Sequence, residues 1–100
     1  MGSCDGFHLG DIVYSSSGRD KGRHYIVMYT EENLVGICDG DLHKTDKVKK
    51  KNPKHLRQTG GFCEYVRGKL TDGEKVTNSE IRRSVSEFEE ALEKQGKGEF

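Results

Sequence analysis

The chain has 100 residues, of which 31% are hydrophobic and 34% are charged, and its formal net charge is zero. This length fits one domain with a small core, since domains commonly have ~100–150 residues. The sequence contains no run close to the ~18 consecutive apolar residues of a membrane span, and its first residues lack an apolar signal region. The three cysteines lie far apart without a C-x-x-C pair, which argues against a zinc site or a disulfide framework. We therefore expect a cytoplasmic domain without a metal or another cofactor.

Two apolar runs flank a glycine-bracketed segment near the start of the chain. IVY at residues 12–14 and YIVMY at residues 25–29 are rich in β-branched and aromatic residues, which favours strands. GRDKG at residues 18–22 lies between them. Because glycine reaches positive φ without steric cost, Gly18 and Gly22 predict the corners of a loop that joins antiparallel strands. The simplest interpretation of this loop is a solvated hairpin turn.

The first half of the chain predicts about five short strands. Both faces of the second strand are apolar, which suits the central strand of a barrel that also packs against a helix. Gly36 predicts a bulge or bend in the third strand, and Gly60-Gly61 is expected to close the barrel. The strands are expected at residues 11–16, 23–30, 34–38, 42–45 and 54–58.

The remainder of the chain predicts two short helices packed on the barrel. Phe62, Val66 and Leu70 recur at i, i+4 and i+8, and Asp72-Gly73 is expected to end this first helix. Gly96 is expected to end the second helix. The second helix is expected to begin with a capping box of Thr77 and Glu80 and to carry an apolar stripe of Ile81, Val85, Phe88 and Leu92.

Positive charge is concentrated in one segment although the net charge is zero. Residues 43–57 contain seven lysines or arginines and one acid, whereas residues 1–42 contain three basic and seven acidic residues. A local basic segment is the electrostatic footprint of phosphate binding. Pro53 prevents the segment from being one regular element, and extended backbone would let about half of its side chains face a common ligand. The alternative is a solvated charge run.

Several motifs along the chain resemble a known family. Residues 13–27, with SGRDKG between two apolar strands, resemble the KOW motif known from the transcription factor NusG and from several ribosomal proteins. DGDL at residues 39–42 and KKKNPKHL at residues 49–56 resemble segments of the bacterial KOW-domain RNA-binding proteins, which are similar to the fourteen-e type of large-subunit ribosomal protein. Residues 77–85 resemble the closing segment of that bacterial family. The resemblance spans roughly residues 10–92.

The resemblance implies a domain organisation and a function. It implies a flexible N-terminal arm at residues 1–9, a KOW-type SH3-like β-barrel of about five strands at residues 10–61, and a helical extension at residues 62–96. It also implies RNA binding in a ribosomal or ribosome-associated setting. The expected partners are RNA, in particular ribosomal RNA, and ribosomal proteins, with no membrane, and the free protein is expected to be a monomer.

The candidate RNA-binding residues lie in the hairpin loop and in the basic segment. Arginine and lysine side chains would contact backbone phosphates, which position an RNA without reading its sequence. The loop glycines would let the backbone approach the ligand closely. His55 is either a contact or a structural residue. The full set is Gly18, Arg19, Lys21, Gly22, Arg23, Lys44, Lys49, Lys50, Lys51, Lys54, His55 and Arg57.

No constellation of residues predicts catalysis, and we expect a protein without enzymatic activity. The four histidines show no metal-ligand spacing. Asp39 and Asp41 flank a glycine, and a turn is a simpler interpretation than a catalytic carboxylate pair. Four tyrosines, Tyr14, Tyr25, Tyr29 and Tyr65, are candidates for base stacking, although strand positions favour core or cross-strand roles. The alternative function is a protein-interaction module that docks on the translation or transcription machinery through its acidic C-terminal helix.

Overall fold

The computed structural model describes residues 6–16 and 22–98, with side chains up to residue 93. These residues form a five-stranded antiparallel sheet followed by two helices, which confirms the prediction of a mainly β chain with C-terminal helices. The sheet order is β4-β3-β2-β1-β5. Neither described helix is long and apolar enough to cross a membrane. The elements are β1 (Asp11–Ser15), β2 (His24–Glu31), β3 (Leu34–Cys38), β4 (Lys49–Lys51), β5 (Leu56–Phe62), α1 (Glu64–Thr71) and α2 (Asn78–Gly98).

The central strands bury side chains on both faces, as the sequence predicts for β2. On one face Tyr25 and Val27 belong to a core built from four strands, and on the other face Ile26 packs against the helices. The strand core consists of Val13, Tyr25, Val27, Val35, Ile37 and Leu56, with Phe7 packed against it. The buried helix-side core consists of Ile12, Ile26, Cys38, Val66, Val76, Ile81 and Val85.

A short connection joins the two edge strands and requires the sheet to curve. Residues 52–55, which include the 3₁₀ turn Pro53–His55, lead from β4 to β5. In a flat five-stranded sheet the outer strands would be about 19 Å apart. The connection spans at most about 17 Å when extended, and less when part of it is a 3₁₀ turn. The two edges of the sheet therefore approach one another at this connection.

The fourth strand lies later in the chain than the sequence predicts. Residues 42–45 form a loop, because the Asp39 carboxylate Oδ1 accepts hydrogen bonds from the backbone N–H of Asp41 (3.0 Å) and His43 (2.9 Å). The strand forms instead at Lys49–Lys51, where antiparallel pairing with β3 outweighs the low strand propensity of lysine.

The fifth strand also differs from its prediction at residues 54–58. Pro53 begins a 3₁₀ turn, since its fixed φ suits the first helical position, and β5 starts only at Leu56. The strand then continues through Gly60-Gly61, which do not end it. Gly61 makes room for a helix side chain, because a Cβ there would lie 2.5 Å from Cε1 of Phe88.

The helices are confirmed in type and corrected in their bounds. Phe62 belongs to β5 and is exposed, with the Arg67 guanidinium 4.0 Å from its ring centroid. The helix α1 buries Val66 and ends before Asp72-Gly73, as predicted. The prediction of two short helices is wrong for α2, which has 21 residues and continues past Gly96.

The N-terminus of α2 carries the predicted capping box. The Glu80 N–H donates to Thr77 Oγ1 (3.2 Å), and the Thr77 N–H donates to Glu80 Oε1 (2.9 Å). The Glu80 carboxylate also accepts hydrogen bonds from the Tyr65 hydroxyl and from Lys69 Nζ (3.1 Å) on α1. Glu80 therefore both caps α2 and links the two helices. Along the predicted stripe, Ile81 and Val85 are buried and Phe88 is half-buried, whereas Leu92 is 44% exposed.

The Glu80 contacts predict a pH-dependent stability. The Thr77 N–H, the Tyr65 hydroxyl and Lys69 lower the pKa of Glu80 from 4.5 to about 2. A lowered folded-state pKa stabilises the fold above the unfolded pKa, and this contribution is lost as the pH falls from 4.5 to 2. We expect Glu80→Gln to melt at a lower temperature than wild type near neutral pH, with the difference closing towards pH 2. Thermal melts across this range test the prediction, and Glu90→Gln, an exposed change of the same charge on α2, is the control. A difference that does not depend on pH would contradict it.

Candidate nucleic-acid interface

The strands on both sides of the GRDKG segment pair as the hairpin prediction requires. β1 and β2 are antiparallel, with Val13 opposite Tyr25. The Gly22 N–H donates to the Ser15 carbonyl (2.8 Å), and Gly22 has a φ of 87°, the positive value expected for a loop corner. The remaining predicted loop residues, Gly18, Arg19 and Lys21, lie outside the described residues.

Arg23, predicted as a phosphate contact, forms an ion pair within the protein. Its Nη2 lies 3.3 Å from Oδ2 of the buried Asp39. The other Asp39 oxygen closes the turn at residues 39–43. All of these contacts are structural, and they support the turn interpretation of DGDL over a catalytic carboxylate pair. The positive charge of Arg23 is partly neutralised by this pairing.

The three lysines of β4 do not share one face of the sheet. Lys49 lies opposite Ile37 and Lys51 opposite Val35, both of which face the strand core. Lys50 lies opposite Gly36 and points to the other face, because successive side chains alternate along a strand. Lys50 is exposed, whereas Lys49 and Lys51 are half-buried. A ligand on one side of the sheet therefore cannot contact all three lysines equally.

Lys50 lies in the same cross-strand row as Tyr29, with Gly36 between them. The bulge that Gly36 predicts lies on the partner strand, where the register shifts between Val27 and Tyr29. Tyr29 lies opposite Gly36, and a Cβ on Gly36 would be 2.7 Å from Cδ2 of the tyrosine. Gly36 thus leaves room for the Tyr29 ring, which a Cβ at this position would overlap.

The 3₁₀ turn places the later basic residues beside the end of β1. Asn52 Oδ1 accepts the Lys54 N–H (3.0 Å) and begins the turn. The Ser16 N–H then donates to the His55 carbonyl (2.8 Å), so the turn lies next to the start of the hairpin loop. Arg57 Nη1 donates to the carbonyls of Lys54 (3.2 Å) and Leu56 (3.3 Å). Lys54 and Arg57 are exposed and His55 is half-buried.

Lys44 is positioned by α2 rather than by the sheet. It is exposed in the loop between β3 and β4, where its carbonyl accepts the Lys47 N–H (3.0 Å). The next residue, Thr45, donates its N–H to Asn78 Oδ1 (2.8 Å) at the start of the helix. Lys44 and Lys54 therefore lie on different connections. Lys44 is between β3 and β4, and Lys54 is on the 3₁₀ turn before β5.

A row of three residues crosses β5, β1 and β2. It lies on the same face of the sheet as Ile12, which is the face that packs against the helices. Arg57 lies opposite Tyr14, and Tyr14 lies opposite His24. Arg57 is a predicted site residue, whereas nothing in the sequence distinguishes Tyr14 from the other tyrosines. The exposed position of Tyr14 in a buried strand is visible only with the register, since a short apolar run does not show which of its faces is covered.

The described residues contain no cluster suited to metal binding, and the free cysteine Cys38 is buried. They include no group of three or more His, Cys, Asp or Glu that could hold a metal ion. A groove of about 270 Å³ runs between the start of β2 and α2, but Asp39 there is paired with Arg23, and Glu89 with His24 (2.7 Å). Burial raises the pKa of the Cys38 thiol to about 12, and the neighbouring Asp39 adds to this effect. Cys38 thus packs as a small hydrophobic residue in the helix-side core.

Comparison of the chain with protein-family models and with curated proteins finds no match.

Proposed function

We propose that this protein binds RNA, without catalysis, in a ribosomal or ribosome-associated setting in the cytoplasm. The observation that carries the proposal is the uneven pairing of its basic residues. Arg23, Arg67, Lys69 and Arg83 each form an ion pair with an acid of this chain. Seven exposed cations have no acidic partner among the ion pairs of the described residues, and five of the seven lie within residues 44–57: Lys44, Lys47, Lys50, Lys54, Arg57, Lys75 and Arg82. Three of them, Lys50, Lys54 and Arg57, lie on consecutive elements, namely β4, the 3₁₀ turn and β5. We call these three residues the basic surface.

Unpaired, exposed cations are suited to a polyanion. Each phosphate that a lysine or arginine neutralises releases condensed counterions, so the affinity gained in this way depends strongly on salt. The chain is neutral overall, and three of its acids, Asp11, Asp39 and Glu80, are held in contacts within the protein. A net charge of zero is therefore compatible with a local surface that attracts phosphates.

The five-stranded antiparallel sheet is compatible with the KOW-type SH3-like barrel that the sequence motifs imply, and this barrel is part of the proposal. Five short antiparallel strands, a curved sheet and a 3₁₀ turn before the last strand are features that such a barrel would have. The resemblance carried by SGRDKG, DGDL and KKKNPKHL points to the same family, and to ribosomal RNA and ribosomal proteins as partners of a protein that is monomeric when free.

Removing the three charges of the basic surface tests the proposal. We expect the triple change Lys50→Gln, Lys54→Gln and Arg57→Gln to weaken binding to two unrelated single-stranded RNAs by a similar factor, about tenfold or more. The slope of log K against log[salt] should become shallower by roughly 0.7 for each phosphate that the variant no longer neutralises. A salt titration of binding to both RNAs measures affinity and slope together.

A second triple variant removes the same charge from another part of the molecule. Lys75→Gln, Arg82→Gln and Arg83→Gln alter exposed residues before and along α2, and we expect them to change the affinity by less than about twofold. Equally weakened binding by both variants would mean that net charge, and not the basic surface, determines binding. Unchanged affinity and slope in the first variant would favour the protein-interaction function, with α2 as the docking element.

A further inference from the structure

We propose that the ring of Tyr14 is a stacking platform for an unpaired base of a single-stranded RNA, with Arg57 binding the phosphate of the same nucleotide. This inference rests on the proposed function and makes its ligand more specific. It adds to the basic surface a contact that recognises the base as an aromatic ring and does not depend on charge.

Tyr14 is exposed where its strand is otherwise buried. The other four residues of β1 are buried, and Tyr14 is 36% exposed. It lies on the same face as Ile12, which belongs to the helix-side core. The helices cover that face at Ile12 and leave the Tyr14 ring accessible near the end of the strand. An exposed aromatic ring on a sheet is a surface on which a base can stack.

The Tyr14 ring is held in a defined orientation by residues behind it. It meets the His24 ring edge to face, with ring centroids 6.2 Å apart and an interplanar angle of 64°. His24 in turn contacts the Phe88 ring at 5.5 Å, and its Nδ1 lies 2.7 Å from Glu89 Oε2. A ring that is already ordered loses little conformational entropy when a base stacks on it. Glu89, the acid in this group, is hydrogen-bonded to His24. His24 and Arg57 lie on opposite sides of Tyr14 in the row.

Arg57 is placed to bind a phosphate beside that base. It is the direct cross-strand neighbour of Tyr14, and such side chains have Cβ atoms about 5 Å apart. Its guanidinium donates hydrogen bonds to the carbonyls of Lys54 and Leu56. Carbonyls are neutral, and Arg57 has no acidic partner among the described residues. This separation suits a single nucleotide, whose base would contact the tyrosine while its phosphate contacts the arginine. In a duplex the bases are stacked inside and their faces are covered, so the ligand is a single strand.

The proposal is tested with two strands that differ only in their bases. One is an oligouridine of ~10 nucleotides, and the other is an abasic ribose-phosphate strand of the same length. We expect wild type to bind oligouridine about tenfold more tightly than the abasic strand. Tyr14→Leu should lose this preference while its affinity for the abasic strand and its salt slope stay unchanged. Tyr14→Phe should keep the preference, because the ring remains.

The control is Tyr65→Leu, which removes a second exposed tyrosine on α1 and should keep the preference for oligouridine. Equal binding of both strands by wild type would overturn the stacking proposal and leave phosphate binding intact, and this comparison requires no variant to fold. A Tyr14→Leu variant that weakens both strands equally would also overturn it. If wild type binds neither strand, the proposed function itself is wrong.

Discussion

Replacing Gly40 by alanine is expected to lower the free energy of unfolding by about 3 kcal/mol or more. Gly40 has a φ of 78°, a conformation that costs an alanine about 1 kcal/mol or more relative to glycine. A Cβ at this position would also lie 2.9 Å from Cγ of Arg82 and would overlap the Asn78 carbonyl oxygen. Because these atoms belong to the first turns of α2, the helix has to move away from the loop that follows β3.

A matched glycine separates the backbone strain from the overlap. Gly73 has nearly the same φ, 76°, but a Cβ there would meet no atom within 4 Å. We expect Gly73→Ala to cost only about 1 kcal/mol. Urea denaturation of both variants measures the difference, which reports the close packing of the loop on the helix. Equal destabilisation of the two variants would mean that the loop and α2 do not touch as described.

Arg67→Ala is expected to destabilise the protein by about 2–3 kcal/mol. The Arg67 side chain on α1 donates from Nε to the Leu9 carbonyl (2.6 Å) and from Nη2 to Asp11 Oδ1 (2.5 Å). The Asp11 side chain is only 10% exposed, so removing the arginine leaves a nearly buried carboxylate without its cation. We expect less than the full cost of a broken buried pair, since Arg67 is 34% exposed and Gln58 still donates to Asp11.

The same substitution in an exposed pair is the control for this prediction. Arg83 forms an i,i+4 pair with Glu87 on α2, and its side chain is 81% exposed. Arg83→Ala should cost about 0.5 kcal/mol or less, because solvent screens the pair. Urea denaturation at low and high salt measures both variants. An Arg67→Ala variant as stable as Arg83→Ala would show that α1 is not anchored to β1 through Asp11.

The sequence predicts the elements whose signals are local. The apolar runs around GRDKG define β1 and β2, and the Thr77–Glu80 capping box marks the start of α2. β4 is not predictable in this way, because lysine has low strand propensity and the strand exists only through pairing with β3. The loop at residues 39–45 likewise depends on distant contacts, including that of Thr45 with Asn78.

In the candidate site as well, features that depend on neighbouring residues are predictable from the sequence, whereas features that depend on contacts between distant residues are not. The count of lysines and arginines locates the basic segment, but it does not show which charges are used inside the protein. Arg23 is paired with Asp39, and the register of β4 separates Lys50 from Lys49 and Lys51. Tyr25 is buried in the strand core, whereas Tyr14 lies on the helix-side face at a position that the helices leave accessible. Such differences arise from tertiary structure and leave no periodicity in the sequence.

The lysines of β4 also occupy the edge of the sheet. β4 is the outermost strand in the sheet order and pairs with β3. An edge of this kind is a template on which a second copy of the chain can add a strand, and lysine is a common residue for preventing such aggregation. The exposed ammonium group of Lys50 would repel the same group of another copy brought alongside. Apart from any contact with RNA, this charge would keep the protein dispersed at high concentration.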